Sequence, residues 1–397
     1  MSVHQVHHVR LGVALAGAGY HPAGWRHATA RPERLFDADH LVDLVRTAER
    51  GTLDLVVADD AFLPQAPRPD RVRGRLDALL AMARVAPHTR SIGLVATIDV
   101  THTEPFHVSK NVATLDLVSR GRAGWRVGLS TTEATARLFG RKPAAPLAEL
   151  VAEADEVVDV VARLWDSWED DAVIRDRPTG RYVDRDKLHY VDFEGRFFKV
   201  RGPSITPRPP QGQPVVVVDA LSGPTSALAA ARADVALVAA ADATAAAARR
   251  DDLRRRATAA GRSPDELTVL VVADVLLGAD AAADRRRLDA LAGVGNGNGS
   301  GSALPADGFA GTLDFAGTPA ELAALVEDWS RSGATDGFVL RPALLPHGLD
   351  QIVDEVVPRL RAAGVFRPAY AETTLRERLG LGRPPNRYAA AGREAGA

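Results

Sequence analysis

The stretch HVSKNVATLDLVSRGRAGWRVGLS, residues 107–130, reads as a helical segment that runs into a strand. Its second part, AGWRVGLS (123–130), is mostly small and apolar and so predicts a buried strand. Trp125 and Arg126 stand side by side within it. A guanidinium inside such a strand is very costly without a partner, so a carboxylate or a phosphate is expected near Arg126.

The same alternation of helix-like segment and apolar run extends in both directions. Upstream lie LGVALAGAG (11–19), DLVVADD (54–60) and SIGLVATIDV (91–100); downstream lie PVVVVDAL (214–221), VALVAA (235–240), LTVLVVADVLLG (267–278) and GFVLRPA (337–343). The runs are rich in Val and Leu and lack clean alternation, which suits parallel strands covered on both faces. Eight such units in series predict a single α/β domain over 1–397, a closed (β/α)8 TIM barrel. An open doubly wound sheet is the alternative, and the number and regularity of the units favour closure.

Within the helices, Val157, Val161, Trp165 and Trp168 fall on one face at helical spacing and read as packing. Thr318-Pro319 followed by Glu321 reads as a helix start, with Thr318 as cap and proline in the first position. Two insertions interrupt the pattern. Residues 169–213 leave the barrel between strands four and five; there FEGRFFKV reads as a hairpin with Glu194-Gly195 at its turn. GVGNGNGSGS (293–302), after strand seven, is low-complexity and reads as a flexible loop. The substrate pocket is expected from the 169–213 excursion and the loop near 293–310.

Bulk properties remove whole classes of function. A net charge of −2 offers no basic field for nucleic acid. The chain has no cysteine, which excludes disulfides, thiolate catalysis and cysteine-bound metal. No apolar run approaches the roughly 18 residues of a membrane span, and MSVHQVHHVR lacks a signal-peptide core. A cytoplasmic location with no membrane partner is the expectation.

In a barrel of this type the chemistry sits at the C-terminal strand ends. Those ends carry Tyr20, His21, Asp59, Asp60, Thr97 to His102, Ser130, Ser222 and Gly223. A metal site from His21, His102, His107 and Asp59 lacks any supporting spacing. Ser222 lacks the elbow of a serine hydrolase. The Ser222-Gly223 turn, which opens a helix, suits a phosphate better. His107 reads as packing at a helix start.

Ordered motifs then carry a family likeness: GWRH (24–27), RTAERGTLDLVVAD (46–59), IGLVAT (92–97), EPFHVSK (104–110), GRAGW (121–125), LWDSWEDDA (164–172), VDFEGRFFKVRGP (191–203), PRPPQGQPV (207–215) and TTLRERLGLGRPPNR (373–387). The chain resembles the bacterial luciferase-like flavin-dependent monooxygenases, in the branch of nitrilotriacetate monooxygenase component A and dibenzothiophene sulfone monooxygenase. The likeness covers nearly the whole sequence. It implies a barrel that binds reduced FMN delivered by a separate NAD(P)H:flavin reductase, oxygenates a small organic substrate with O2, and forms a homodimer or higher homo-oligomer.

By position, the resemblance places Asp59, Thr97, Ser130 and Ser222 at the flavin, with Gly223 beside the phosphate. His21 and His102 stand as candidate catalytic groups. It also exposes departures. Arg126 replaces an asparagine, Val151 a tyrosine that reaches the phosphate, and Val218, Ala220 and Thr225 replace Gln and two Gly of the phosphate turn. Arg126 is expected to serve as a substitute anion contact, to pair with Asp59 or Asp99, or to plug the pocket. A diverged barrel with weakened or lost flavin binding and a binding or regulatory role is therefore the alternative. Use of the deazaflavin F420 is a third reading, less close to these motifs.

Overall fold

The computed structural model describes residues 8–63, 72–293 and 309–389. Eight parallel strands form the barrel: β1 Arg10–Leu15, β2 Leu55–Ala58, β3 Gly93–Asp99, β4 Ala123–Gly128, β5 Val215–Asp219, β6 Val235–Val238, β7 Thr268–Leu277 and β8 Gly337–Pro342. Each pairs with the next, and β8 pairs with β1. The ring is closed, so the open-sheet alternative does not hold. Seven of the eight runs read from the sequence contain these strands whole, and β1 begins one residue ahead of its run, at Arg10.

Alternation within each strand separates two cores. Val95 on β3, Val215 and Val217 on β5, Leu270 and Val272 on β7 and Val339 on β8 fill the barrel interior. The intervening residues face the helices, where Trp125, Trp165 and Phe338 are almost wholly buried. This resolves the neighbouring pair on β4. Trp125 turns outward into the helical layer, and Arg126 turns inward to the barrel axis.

Polar residues at the strand–helix junctions start the helices. Asp77, Thr132, Ser222, Asp242 and Thr318 each accept a first-turn backbone N–H. Thr318 and Glu321 form the reciprocal box that the sequence predicts, with Pro319 in first position. The helix Leu147–Asp166 begins earlier than its apolar stripe suggests. Val157, Val161 and Trp165 line its buried face, whereas Trp168 lies beyond its end and donates to the Ser204 carbonyl at 2.7 Å.

The excursion 169–213 forms two short hairpins, 173–183 and 193–200. In the second, Glu194 pairs with Lys199, so the turn is Gly195–Phe198, one step later than Glu194-Gly195. Glu156 holds this turn by accepting from the Arg196 and Phe197 amides at 2.8 and 3.1 Å. The hairpin packs on the outside of the helix Leu147–Asp166 through Val160 and Leu164. Its position there departs from the expected pocket wall. The excursion leaves a helix C-terminus and returns to the start of β5, so both its ends lie at the N-terminal face of the barrel. Most of the glycine-rich run 293–302 lies outside the described residues.

That N-terminal face is closed by a charged strap. Asp54 accepts from the Leu11 amide at 2.7 Å and from Arg367 at 2.5 Å. Arg376 reaches Asp234 at 3.0 Å, and Asp166 binds both Arg208 and Arg387. Arg122 donates five hydrogen bonds, to Thr89 Oγ1 and the carbonyls of Ala86, Thr89, Ile92 and Ser119.

Candidate functional site at the barrel mouth

Three inward carboxylates and two inward guanidiniums close the axis of the barrel at its C-terminal end. Arg126 sits on β4, Asp219 ends β5, and Asp59 follows β2. Arg126 Nε and Nη2 donate to the two oxygens of Asp219 at 2.9 and 2.6 Å, and Nη1 donates to Asp59 at 2.6 Å. Burial works against the Arg126 charge, but Asp219 and Asp59 outweigh it and hold the group above its usual range. Tyr20, after β1, donates its hydroxyl to the other oxygen of Asp59. Burial, then the Asp59 charge, raises the Tyr20 phenol well above its ordinary value, so it stays neutral.

Asp274 on β7 and Arg341 on β8 are register partners and form a second forked pair, at 2.7 and 2.6 Å. Phe309 lies between the two guanidiniums, 5.7 Å from that of Arg126 and 5.3 Å from that of Arg341. Between these groups and Ala14, Val57 and Leu237 remains a cavity of about 10 Å³, room for about one water.

A neighbouring cluster spans the ends of β3 and β4. Ser130 donates its hydroxyl to Asp99, whose other oxygen accepts from the Thr101 amide at 2.9 Å. Thr101 Oγ1 accepts from the Ser130 amide at 3.0 Å. Burial pushes the Asp99 carboxyl up, although Ser130 and the amides oppose it. His102 stacks on Phe139 with centroids 4.4 Å apart, and Phe62 meets it edge-on. Burial lowers the His102 pKa, which keeps the ring neutral near pH 7. Two buried polar atoms here, Thr97 Oγ1 and His102 Nδ1, lack a hydrogen-bond partner among the described residues. Thr97 shares the inward parity of Val95 and stands opposite Arg126 in the β3–β4 register.

The structure thus brings Asp59, Thr97, Arg126, Ser130 and His102 to one mouth. His21 is placed differently. Its Nδ1 accepts from the Ala23 amide and its Nε2 contacts Asp289, both at 3.1 Å, which ties the loop after β1 to the helix Ala281–Leu291. His107 lies in the first turn of the helix Pro105–Ser119, as expected, but its side chain is exposed, so it does not pack there. Ser222 caps the helix Gly223–Arg232 in a reciprocal box with Thr225, which makes Thr225 the cap's partner. A Cβ at Gly223 would meet no atom within 4 Å, so the space over that turn is open. Val151 and Val218 pack in the helix-facing core. Arg126 pairs with Asp59 as anticipated, but its second partner is Asp219 and not Asp99.

Sequence reasoning missed Asp219, Asp274, Arg341 and Phe309. The first three did carry a signal: each is a charge inside an apolar run, on the inward parity of its strand. No group of three metal-ligating side chains occurs among the described residues.

Comparison with known proteins places this geometry. The luciferase-like monooxygenase family model matches residues 16–336. The chain belongs to the luciferase-like monooxygenase family. It is 35% identical to N-acetyl-S-(2-succino)cysteine monooxygenase of Bacillus subtilis, over 96% of this chain and 98% of that protein. It is 32% identical to nitrilotriacetate monooxygenase component A of Aminobacter aminovorans, again over 96% and 98%. Among solved structures it resembles riboflavin lyase with modified FMN and riboflavin, at a TM-score of 0.83 and 25% identity over 95% of this chain and 97% of that one. No helix among the described residues is long and apolar enough to cross a membrane.

Proposed function

We propose that the protein is an FMN-dependent monooxygenase that uses reduced FMN and O2 on a small organic substrate and receives the flavin from a separate NAD(P)H:flavin reductase. The observation that carries this reading is Thr97 Oγ1, buried at the mouth without a partner among the described residues. A buried hydroxyl left unpaired costs about 1–3 kcal/mol, a cost that a bound polar ring edge offsets. His102 Nδ1, in the loop after the same strand, is in the same condition. The residues therefore fit a flavin, whose ring carries both donors and acceptors.

When bound, reduced FMN supplies the activation of dioxygen and the transfer of one oxygen atom. The chain supplies the surroundings. Thr97 and His102 offer contacts at one end of the mouth, and Ser222 and Gly223 offer the open helix start at the other. Asp59 accepts from Arg126 and from the Tyr20 hydroxyl. Phe62, His102 and Phe139 pack against one another as an aromatic cluster at the ends of β2 to β4. His21 acts as a positioning residue, because both ring nitrogens are occupied. A homo-oligomeric assembly belongs to the same reading.

A second reading keeps the barrel and drops the flavin. The Arg126–Asp59–Asp219 network, which fills the axis, favours it. An anaerobic titration with reduced FMN separates the two. Binding at micromolar concentrations, followed by reductase-coupled turnover of a small organic substrate, supports the monooxygenase. Absence of binding at several hundred micromolar moves the protein to a binding or regulatory role.

A further inference from the structure

We infer that Asp99 is a substrate-selecting residue of the mouth, and that the substrate it selects carries a protonated amine. The inference rests on the flavin reading above and names the chemical class of substrate for the same mouth. Asp99 ends β3 and shares the inward face of Val95 and Thr97. Its oxygens accept from neutral donors, the Ser130 hydroxyl and the Thr101 amide, and no cation pairs with it among the described residues. The cations that act on neighbouring His102, Lys142 and Arg141, are taken by Glu153 and Glu104. With Asp99 counted, four inward carboxylates stand against two guanidiniums: Arg126 serves Asp59 and Asp219, and Arg341 serves Asp274. The mouth therefore carries an excess of negative charge, which a cationic ligand neutralises. Burial already pushes the Asp99 carboxyl up, a cost that an ammonium beside it relieves.

The same wall of the barrel faces a ligand. Thr97, two residues earlier on β3, is only 6% exposed, and its hydroxyl is aimed into the mouth without a partner among the described residues. A buried hydroxyl left open there marks the space in front of it as ligand space. Opposite Asp99 on β4 stands Gly128, where a Cβ would lie 3.3 Å from the Asp99 Cα. Glycine at that position keeps a side chain off the carboxylate. The aromatic cluster of Phe62, His102 and Phe139 begins three residues along the same loop. A carboxylate beside aromatic rings suits an alkylammonium: the N–H donates a charge-assisted hydrogen bond, and the cation is drawn to a ring face.

The test uses benzylamine, N-methylbenzylamine and benzyltrimethylammonium as cationic probes, with benzyl alcohol as the neutral and benzoate as the anionic control. Binding to the full chain is measured by calorimetry, with and without FMN, for the wild type, Asp99→Asn and Asp99→Glu. Melting temperatures check folding, and Asp99→Ser serves where Asp99→Asn does not fold. At least one cation should bind the wild type roughly tenfold or more tightly than benzyl alcohol, the scale of one charge-assisted hydrogen bond. Benzoate should bind most weakly. Asp99→Asn should remove the cation preference, and Asp99→Glu should restore part of it. An undiminished preference in the folded neutral variant, or a wild type that prefers none of the three cations, overturns the inference and leaves the flavin reading intact. That reading falls instead if reduced FMN does not bind the wild type. A cation preference that Asp99→Asn removes then still assigns an amine site to the barrel.

Discussion

Arg126 and Asp219 meet in a forked pair on the barrel axis, Nε to Oδ1 at 2.9 Å and Nη2 to Oδ2 at 2.6 Å, one on β4 and one at the end of β5. The third nitrogen of the same guanidinium holds Asp59. One cation therefore serves two carboxylates, and neither can be removed without consequence for the other.

Asp219→Ala should destabilise the protein by about 2 kcal/mol, less than the loss from a fully buried pair, because both partners retain some solvent. Arg126→Met leaves two neighbouring carboxylates and should cost at least as much. The double variant should cost less than the sum of the two by about 1 kcal/mol or more. Urea unfolding of the four proteins measures this, and strictly additive effects would show that the pair is not coupled.

Thr97→Val separates a ligand contact from a structural one. The hydroxyl has no protein partner among the described residues, so its loss should leave urea stability unchanged or slightly raised. Reduced FMN should bind roughly five- to tenfold more weakly. A large loss of stability with unaltered FMN affinity would assign Thr97 to the scaffold.

Asp116 predicts a pH effect far from the mouth. Its carboxylate accepts from the Ala123 amide at 3.1 Å and from the Gln211 amide and side chain at 3.1 and 2.6 Å. Burial nevertheless pushes it up to about 6, from 3.8. The folded state then binds more protons than the unfolded state between these values. Stability from this group is fully present below about pH 4 and falls as pH rises through 6. The shift corresponds to about 3 kcal/mol. The advantage of the wild type over Asp116→Asn should shrink by that order from pH 4 to pH 7 in chemical unfolding; parallel curves would contradict it.

Arg122→Lys tests the strap. An ammonium has three donors where the guanidinium makes five hydrogen bonds, four of them to carbonyls. The substitution should cost about 2–4 kcal/mol. Flavin affinity at the opposite face should not change at temperatures where the variant is folded. A variant as stable as the wild type would mean that water replaces those contacts.

The order of apolar runs made all eight strands legible, because parallel strands covered on both faces need continuous apolar sequence. The segment Leu313–Gly317, which pairs with the outer half of β7, escaped notice because its residues alternate and are half exposed. At the mouth, Asp59, Thr97 and Ser130 were found through the family likeness, and Arg126 by the conflict between its charge and its strand. Asp219 and Asp274 stayed hidden because a carboxylate in a strand reveals its face only once the register is known. Many of the motifs that carry the likeness are instead parts of the strap: Glu49, which accepts the amides of Arg90, Ser91 and Ile92, then Asp54, Arg122, Asp166 and Arg376. They identify the lineage through its scaffold and bear on the chemistry only indirectly.

The strap also sets a timetable for biosynthesis. Arg367, Arg376 and Arg378 bind Asp54 and Asp234, residues made 142 to 324 positions earlier. The base of the barrel cannot be sealed until residues 367–378 have left the ribosome. Until then Asp54 and Asp234 lack their arginine partners, and the nascent barrel is open at the end opposite its mouth. A ribosome stalled near residue 365 should therefore present a protease-sensitive barrel.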